Sequence, residues 1–286
     1  MIWQPVSGCS GACRTGGDDA VGGGTALVRL VTLCAVLVMG LLVVPVLRGA
    51  AAPAVARGVL AALGVRLRRT GPLPRPGTLL VANHVSWLDI VALLAVTPVK
   101  LVAKCEVRAW PGIGALAAAL GAIFVDRSRP RSLPVTVAAV AAQLRAGRSV
   151  AVFPEGTTFC GASRGRFRPA MFQAAIDAGA AVLPVSITYD STAAAFVGDD
   201  LLWSSVRRIA GLRGLTVTLV GAPALRPALG ADRRVLAGTA QSFLNLGFSA
   251  AGERSLDRDT GLGARPGCLN VLTVNFQALC RRDAAH

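Results

Sequence analysis

The sequence predicts an α/β protein with a mostly parallel central sheet flanked by helices, preceded by an N-terminal membrane-anchoring helical segment. From Gly71 onward, short runs rich in β-branched residues alternate with alanine-rich helical stretches, and this alternation is typical of βαβ units. An uncharged apolar run of membrane length comes before them. The mean hydropathy of +0.57 is also high for a protein without a membrane-associated part.

The first 70 residues divide into two predicted regions. Residues 1–25 contain glycine, serine and aspartate without any period, so we expect a disordered leader. Residues 26–70 form the predicted anchoring region, in which the uncharged run 30–47 is about long enough to cross a bilayer core of roughly 30 Å. A shorter apolar piece, 50–65, is expected to pair with the first helix or to lie in the membrane interface.

Positive charge follows the apolar run and predicts the orientation of the chain. Arg14, before the run, is offset by Asp18 and Asp19, whereas the arginines after it have few acidic neighbours. The positive-inside rule therefore places the rest of the chain at the cytoplasmic face of the cell membrane. A cleaved signal peptide is the alternative, but the run starts late and no small-residue cleavage site follows it. The arginines after the run are Arg57, Arg66, Arg68 and Arg69.

The main domain is predicted over residues 71–245, and residues 246–286 form a peripheral tail with no assigned role. Parallel sheets place their functional sites beyond the carboxyl ends of the strands. Four polar residues follow predicted strands in this way: His84, Lys104, Arg127 and Glu155. Strands are predicted at 78–82, 99–103, 122–125, 149–153, 182–188 and 216–220, and helices near 86–96, 109–120, 132–146 and 169–178.

Charge and cysteine content restrict the partners. The net charge of +15 favours anionic partners such as lipid head groups or phosphorylated small molecules. Nucleic acid is not favoured, because aromatic residues make up 5% of the chain and are not interleaved with basic ones. The seven cysteines are odd in number, scattered and without C-x-x-C spacing, which indicates a reducing compartment. Since no histidine lies near them in sequence, no metal site is predicted.

The stretch "NHVSWLDI", 83–90, contains the only histidine besides the last residue of the chain. His84 and Asp89 would point about 140° apart on one regular helix, so they meet only if His84 precedes the helix. Ser86 is then the expected N-cap, with Asp89 at N3. An imidazole held by a carboxylate is suited to act as a general base. The alternative is that Asp89 only caps the helix while His84 satisfies a loop carbonyl.

Two further motifs supply candidate ligands. In "VFPEGTTF", 152–159, Glu155 can bind hydroxyls or cations and Gly156 permits a close backbone approach. In "GAIFVDR", 121–127, Arg127 reaches a strand end where it can hold a phosphate. The alternatives are a surface turn with a solvated glutamate, and a solvated arginine beside Asp126.

Together with "AKCEV" and "VLPVSI", these motifs resemble, in order and spacing, the glycerolipid acyltransferase family typified by 1-acylglycerol-3-phosphate acyltransferases. The resemblance covers about residues 78–190. It implies that His84 deprotonates the acceptor hydroxyl, that Asp89 orients His84, and that an acyl thioester of CoA or acyl carrier protein is the co-substrate, with no cofactor and no metal. It also implies membrane lipids as partners. The substrate-binding residues implied are Arg127, Glu155, Gly156, Thr157 and Lys104.

The motif departs from the family at one position. Members that use lysophosphatidic acid commonly continue Glu-Gly-Thr with arginine, where this chain has Thr158. Losing that contact removes about 1.5 to 3 kcal/mol of phosphate binding. Another arginine then replaces it, or the acceptor is a different lyso-lipid such as a lyso-ornithine lipid. The candidate replacements are Arg164, Arg166 and Arg168.

Two alternatives belong to other functional classes. Gly161, Ser163 and Gly165 form a G-x-S-x-G pattern, which in serine hydrolases lies on a tight strand-to-helix turn. Here the pattern lies several residues beyond its predicted strand, and the only later histidine is His286. The second alternative is a catalytically silent membrane scaffold, which predicts the loss of His84 or Asp89.

Overall fold

The computed structural model describes residues 5–14, 19–47, 50–126, 128–228 and 230–245. Seven strands form one sheet in the order β1-β7-β6-β2-β5-β3-β4. Neighbouring strands from β6 to β4 are parallel, whereas β7 runs antiparallel to β6 and parallel to β1. The strands are β1 Arg66–Thr70, β2 Leu79–Ala82, β3 Lys100–Lys104, β4 Ile123–Val125, β5 Val150–Val152, β6 Val182–Tyr189 and β7 Thr216–Gly221.

Helices cover both faces of the sheet. The helices are α1 Gly23–Val46, α2 Ala52–Ala62, α3 Leu88–Val96, α4 Ile113–Ala119, α5 Leu133–Arg145, α6 Ala170–Ala178, α7 Leu202–Gly211 and a further helix, α8, over 233–245. One apolar core packs α2, α3 and α7 against the sheet, and a second packs α5, α6 and α8 against the opposite face. Because β2, β5 and most of β6 are buried on both faces, their sequences are nearly continuous apolar runs.

The predicted fold class is confirmed, and each of the six predicted strands is present within two residues of its expected bounds. The strand β1 was not predicted. Its sequence, "RLRRT", is mostly exposed and lies at the edge of the sheet beside β7. Charged side chains are typical of edge strands because they discourage pairing with another chain, and here they concealed the strand. The strand β1 belongs to the sheet although it lies within residues 26–70, which the sequence analysis assigned to the anchoring region.

Within the described residues 5–14 and 19–25, the predicted leader makes contacts that its composition did not suggest. The Arg14 guanidinium lies 3.0 Å from the Asp200 carboxylate. Val21 N–H donates to the Gly211 carbonyl at 2.8 Å, and the Asp19 carbonyl accepts from the next loop at the same distance. These partners lie far away in sequence, so a local composition pattern carries no sign of them. The predicted tail, 246–286, lies outside the described residues.

The long apolar helix α1 packs with one face against α2, α7 and α4. Gly40 allows it to cross α2 closely, since a Cβ there would lie 2.9 Å from Val55 Cγ1. Near its start, Arg29 donates to the carbonyls of Ala210 and Leu212 at 3.0 and 2.7 Å. The opposite face is bare and apolar, with more than half of each large side chain exposed. Those side chains are Leu27, Val28, Val31, Val38, Met39, Leu42 and Val46.

Candidate active site

The central pair of side chains meets at the carboxyl end of β2. His84 lies in the loop after this strand and Asp89 lies in the first turn of α3. His84 Nδ1 is 2.8 Å from Asp89 Oδ2, and the Asp89 side chain is fully buried. The imidazole keeps 17% of its surface exposed and stacks on Phe153, with ring centroids 4.0 Å apart. With Nδ1 directed at Asp89, Nε2 is the ring atom left to meet a substrate.

Asp89 also fixes the loop that carries His84. Its Oδ2 accepts the backbone N–H groups of Val85 at 2.6 Å and Ser86 at 2.9 Å, in addition to the imidazole. The helix begins one residue later than predicted, with Trp87 rather than Ser86 at the N-cap. The Ser86 hydroxyl still accepts from the Leu88 N–H at 3.4 Å. The Asp89 carboxylate thus satisfies the amides of Val85 and Ser86, and the Ser86 hydroxyl satisfies that of Leu88.

The second oxygen of Asp89 is bound by Tyr189, the only tyrosine of the chain. Its hydroxyl donates to Asp89 Oδ1 at 2.5 Å from the end of β6. Burial, followed by the negative charge of Asp89, raises the pKa of the Tyr189 hydroxyl well above its ordinary value. Tyr189 therefore remains a donor, and Asp89 has hydrogen-bond partners on both oxygens.

Glu155 supports the same loop from β5. Its Oε2 accepts the His84 backbone N–H at 2.7 Å and its Oε1 accepts the Gly165 N–H at 3.0 Å. Burial raises the pKa of the Glu155 carboxyl to about 7, although the two backbone donors and the Arg164 charge act in the opposite direction. Both oxygens already have backbone partners and the residue is 3% exposed. Glu155 therefore helps to position His84, and it also lines the cleft described next.

A cleft of about 590 Å³ opens beside the residues that follow β5, and His84 itself is not among the residues that line it. Glu155, Thr157 and Phe159 form its inner wall, and the Phe159 N–H donates to the His84 carbonyl at 2.8 Å. The N-terminal segment contributes Pro5 and Val6 to another wall. Three exposed arginines complete the cleft, which gives it a positive charge suited to an anionic head group. These are Arg166, Arg168 and Arg234.

The residues after Glu155 have separate places. Gly156 has φ of +77°, and a Cβ on it would lie 2.7 Å from Pro5 Cγ, so a side chain would be excluded by both geometry and contact. Thr157 lines the cleft. The Thr158 hydroxyl donates to the Phe196 carbonyl instead. Thr158 is thus part of the scaffold, and the positive charge of the cleft comes from elsewhere.

Of the remaining predicted ligands, Lys104 lies on β3, next to the edge strand β4. Lys104 ends β3 and forms an exposed ion pair with Glu106, with 3.0 Å between Nζ and Oε1. Arg127 lies outside the described residues. Of the candidate replacement arginines, Arg166 and Arg168 reach the cleft, whereas Arg164 donates to the Leu244 carbonyl at 3.0 Å.

The geometry around Ser163 does not match a nucleophile elbow. The preceding strand, β5, ends at Val152 and the following helix, α6, begins at Ala170, so no tight strand-to-helix turn carries the serine. Within the described residues the only histidine is His84, whose Nδ1 is engaged by Asp89. This arrangement disfavours a serine hydrolase.

Sequence reasoning missed two residues and one cluster near the site. Tyr189 was passed over as part of a buried strand, although a single tyrosine at the carboxyl end of a central strand was a usable signal. Asn83 exchanges two hydrogen bonds with the Ile187 backbone, at 2.9 and 2.8 Å, and so ties the loop to β6. The cluster contains three cysteines, two of which are 151 positions apart; sequence spacing gave no sign of it. It comprises Cys9, Cys13 and Cys160.

Comparison with known proteins gives consistent matches. A family model described as Acyltransferase matches residues 64–188. A 1-acyl-sn-glycerol-3-phosphate acyltransferase of Neisseria meningitidis serogroup B is 40% identical over 168 residues, covering 56% of this chain and 66% of that protein. A lyso-ornithine lipid O-acyltransferase of Pseudomonas aeruginosa is 41% identical over 192 residues, covering 65% of this chain and 73% of that protein.

A solved structure shares the fold. The crystal structure of the 1-acyl-sn-glycerophosphate acyltransferase PlsC from Thermotoga maritima has a TM-score of 0.53 and 21% identity, covering 70% of this chain and 82% of that one. The two relatives named for different acceptors have nearly equal identity to this chain, at 40% and 41%. Overall sequence identity therefore does not distinguish between the two acceptors. The distinction depends on the residues that line the cleft.

Proposed function

The chain belongs to the glycerolipid acyltransferase family, and from this premise we propose that it transfers a fatty acyl group from a thioester to the hydroxyl of a lyso-glycerolipid. The donor in this proposal is acyl-CoA or acyl carrier protein, and the acceptor is 1-acylglycerol-3-phosphate, giving phosphatidic acid. The observation that carries the proposal is the 2.8 Å contact of His84 Nδ1 with the fully buried Asp89. That contact leaves Nε2 as the base.

The reaction follows from this geometry. His84 Nε2 takes the proton of the acceptor hydroxyl as the oxygen attacks the thioester carbonyl carbon, and Asp89 stabilises the imidazolium that forms. Collapse of the tetrahedral adduct breaks the carbon–sulfur bond, and the imidazolium returns its proton to the leaving thiolate. A thioester is already activated for acyl transfer, so the proposal includes no metal and no cofactor in this step.

The cleft supports an anionic acceptor. Arg166 and Arg168 are exposed and line it, and we assign them to the phosphate that the family motif would otherwise bind at position 158. Arg127 is assigned to the same head group, and Lys104 and Thr157 to the rim of the site. The competing acceptor is a lyso-ornithine lipid, which is favoured by the uncharged Thr158.

The bare face of α1 supports association with a membrane. The helix contacts the enzyme domain both near its start, through Arg29, and near its end, where Leu41 Cδ1 lies 3.7 Å from a Cβ built on Gly112. A helix held along its length in this way favours insertion of the outer face into one leaflet. We place the enzyme domain on the cytoplasmic side, where acyl thioesters are available.

The deciding experiment offers radiolabelled acyl-CoA and, separately, acyl carrier protein to the purified full chain with lysophosphatidic acid or lyso-ornithine lipid. We expect labelled phosphatidic acid, loss of product in His84→Ala, and no effect of Ser163→Ala. Acyl release that survives His84→Ala but not Ser163→Ala would contradict the proposal and indicate a hydrolase. Product only with the ornithine lipid would reassign the acceptor.

A variant pair tests the phosphate site. Arg166→Gln and Arg168→Gln should each raise the KM for lysophosphatidic acid about tenfold or more, since a charge-assisted contact is worth about 1.5 to 3 kcal/mol. The KM for the thioester should change little. Arg233→Gln is the matched control, because Arg233 is equally exposed beside Arg234 but does not line the cleft. An equal rise in both KM values would remove these arginines from the acceptor site.

A further inference from the structure

Three thiols lie together outside the proposed proton relay. The sulfur atoms of Cys9, Cys13 and Cys160 are all within 4.8 Å of one another. Cys9 and Cys160 are buried, with 6% and 7% of their surface exposed, and Cys13 is half-buried. All three are free thiols. They come from two distant parts of the chain, the N-terminal segment and the loop after β5.

The spacing of the sulfur atoms suits a shared metal ion better than a disulfide. Two thiolates bound to one Zn²⁺ in tetrahedral geometry lie about 3.8 Å apart, because each Zn–S bond is about 2.3 Å. A contraction of about 1 Å would therefore bring all three sulfurs to a common ion. A disulfide would engage two of them at about 2 Å and leave the third without a role.

Backbone amides are directed at the sulfur atoms. The Cys160 N–H donates to Cys9 Sγ at 3.4 Å, and the N–H groups of Ala162 and Ser163 donate to Cys160 Sγ. Gly161, with φ of +91°, allows the turn that aims these two amides back at the sulfur. Donors of this kind orient a thiolate ligand and disperse its charge. They are an observation independent of the clustering itself.

The geometry points to a binding site for a thiophilic divalent cation, with Zn²⁺ the best fit, held by the thiolates of Cys9, Cys13 and Cys160. Zn²⁺ accepts three protein ligands with a water molecule in the fourth position. Binding releases the thiol protons to solvent and involves no change of oxidation state.

The location of this site gives it a structural consequence. The thiols pack with Val85, the residue after His84, and Tyr189 packs against the same cluster. A bound ion would tie the N-terminal segment, which also walls the cleft through Pro5, to the loop that carries the proposed base. The site is therefore expected to stabilise the active-site loop from behind, without touching the substrate.

The test titrates the reduced, metal-stripped full chain with Co²⁺ and then with Zn²⁺. We expect a sulfur-to-cobalt charge-transfer band that saturates at about one ion per chain and disappears when Zn²⁺ is added. Cys9→Ser and Cys160→Ser should lose the band. Cys34→Ser and Cys105→Ser should keep it, because Cys34 and Cys105 lie outside the cluster.

A second measurement on the unmodified protein does not depend on whether the variants fold. Bound Zn²⁺ should protect Cys9, Cys13 and Cys160 from alkylation, as identified by mass spectrometry of the labelled peptides, while leaving Cys34 reactive. Three results would overturn the inference: no charge-transfer band, a band that survives Cys160→Ser, or recovery of Cys9 and Cys160 as a disulfide under conditions that supply Zn²⁺.

Discussion

Asp89→Asn is the sharpest perturbation of the proposed relay, because it removes the charge and nearly preserves the shape. The carboxylate accepts His84 Nδ1 and two backbone N–H groups on Oδ2, and the Tyr189 hydroxyl on Oδ1. In the variant, the amide oxygen can keep the three donors at the Oδ2 position. The amide nitrogen then faces Tyr189, whose hydroxyl can rotate to accept a hydrogen bond. The imidazole should thus stay in place beside a neutral partner.

The expected loss follows from the distance. Nδ1 and Oδ2 are 2.8 Å apart, which places the charge centres of imidazolium and carboxylate roughly 4 Å apart. At an effective dielectric constant of about 20, that attraction is about 4 kcal/mol. It is absent while the imidazole is neutral and present when it has taken the proton, so its loss falls on the transition state. We expect kcat to fall about 10²- to 10³-fold with little change in either KM.

The assay is the initial rate of labelled phospholipid formation at saturating thioester and acceptor, with thermal unfolding as a check on folding. Tyr189→Phe is the matched control, because it removes one hydrogen bond to Asp89 and keeps the charge. It should cost about 1.5 kcal/mol or less, roughly tenfold in kcat. A folded Asp89→Asn protein that keeps more than about a tenth of kcat would refute the role assigned to the Asp89 charge.

Two further predictions concern the supporting carboxyl and the membrane surface. The folded pKa of Glu155, about 7, lies above the ordinary value of 4.5, so its contribution to stability is complete below pH 4.5 and is lost as pH rises through 7. The free energy of unfolding should be about 2.5 kcal/mol lower at pH 8 than at pH 5 because of this group, and Glu155→Gln should remove that difference; an unchanged pH dependence would contradict it. Replacing Val38 and Leu42, 59% and 64% exposed on α1, by Gln should weaken vesicle binding by about 2 kcal/mol, roughly thirtyfold. Val135→Gln, at an equally bare site on α5, should leave binding in a sedimentation assay unchanged, and equal effects would remove α1 from the membrane surface.

The central strands could be predicted from the sequence because strands buried on both faces consist of nearly continuous apolar residues. β2, β5 and β6 were predicted within two residues of their observed bounds for this reason. β1 was not predicted because an edge strand is exposed and because this one is mostly arginine. The contacts of the N-terminal segment could not be predicted, for a different reason. Its order depends on contacts such as that of Arg14 with Asp200, 186 positions away, and no local period reports a contact of that kind.

The contacts of the site also divide into those that are local in sequence and those that are distant. His84 and Asp89 are five residues apart, so a local turn decides whether they meet, and local sequence chemistry could predict that they do. Tyr189 reaches Asp89 across 100 positions and Glu155 reaches the His84 amide across 71. Those distances close only because the strands carrying them lie next to β2. The burial of Glu155 and its contact with the His84 amide cannot be seen from its neighbours in sequence.

Strand order also predicts how substitutions will divide between catalysis and binding. β2 lies between β5 and β6 in the sheet. The loop carrying His84 is therefore held through its backbone by Glu155, which follows β5, and Asp89 is held by Tyr189, which ends β6. A base fixed in this way needs little reorganisation when the proton moves. Substitutions at these central positions should therefore lower kcat. The arginines belong to loops at the rim of the cleft, and they touch the acceptor before and during reaction alike, so their loss should appear mainly in KM.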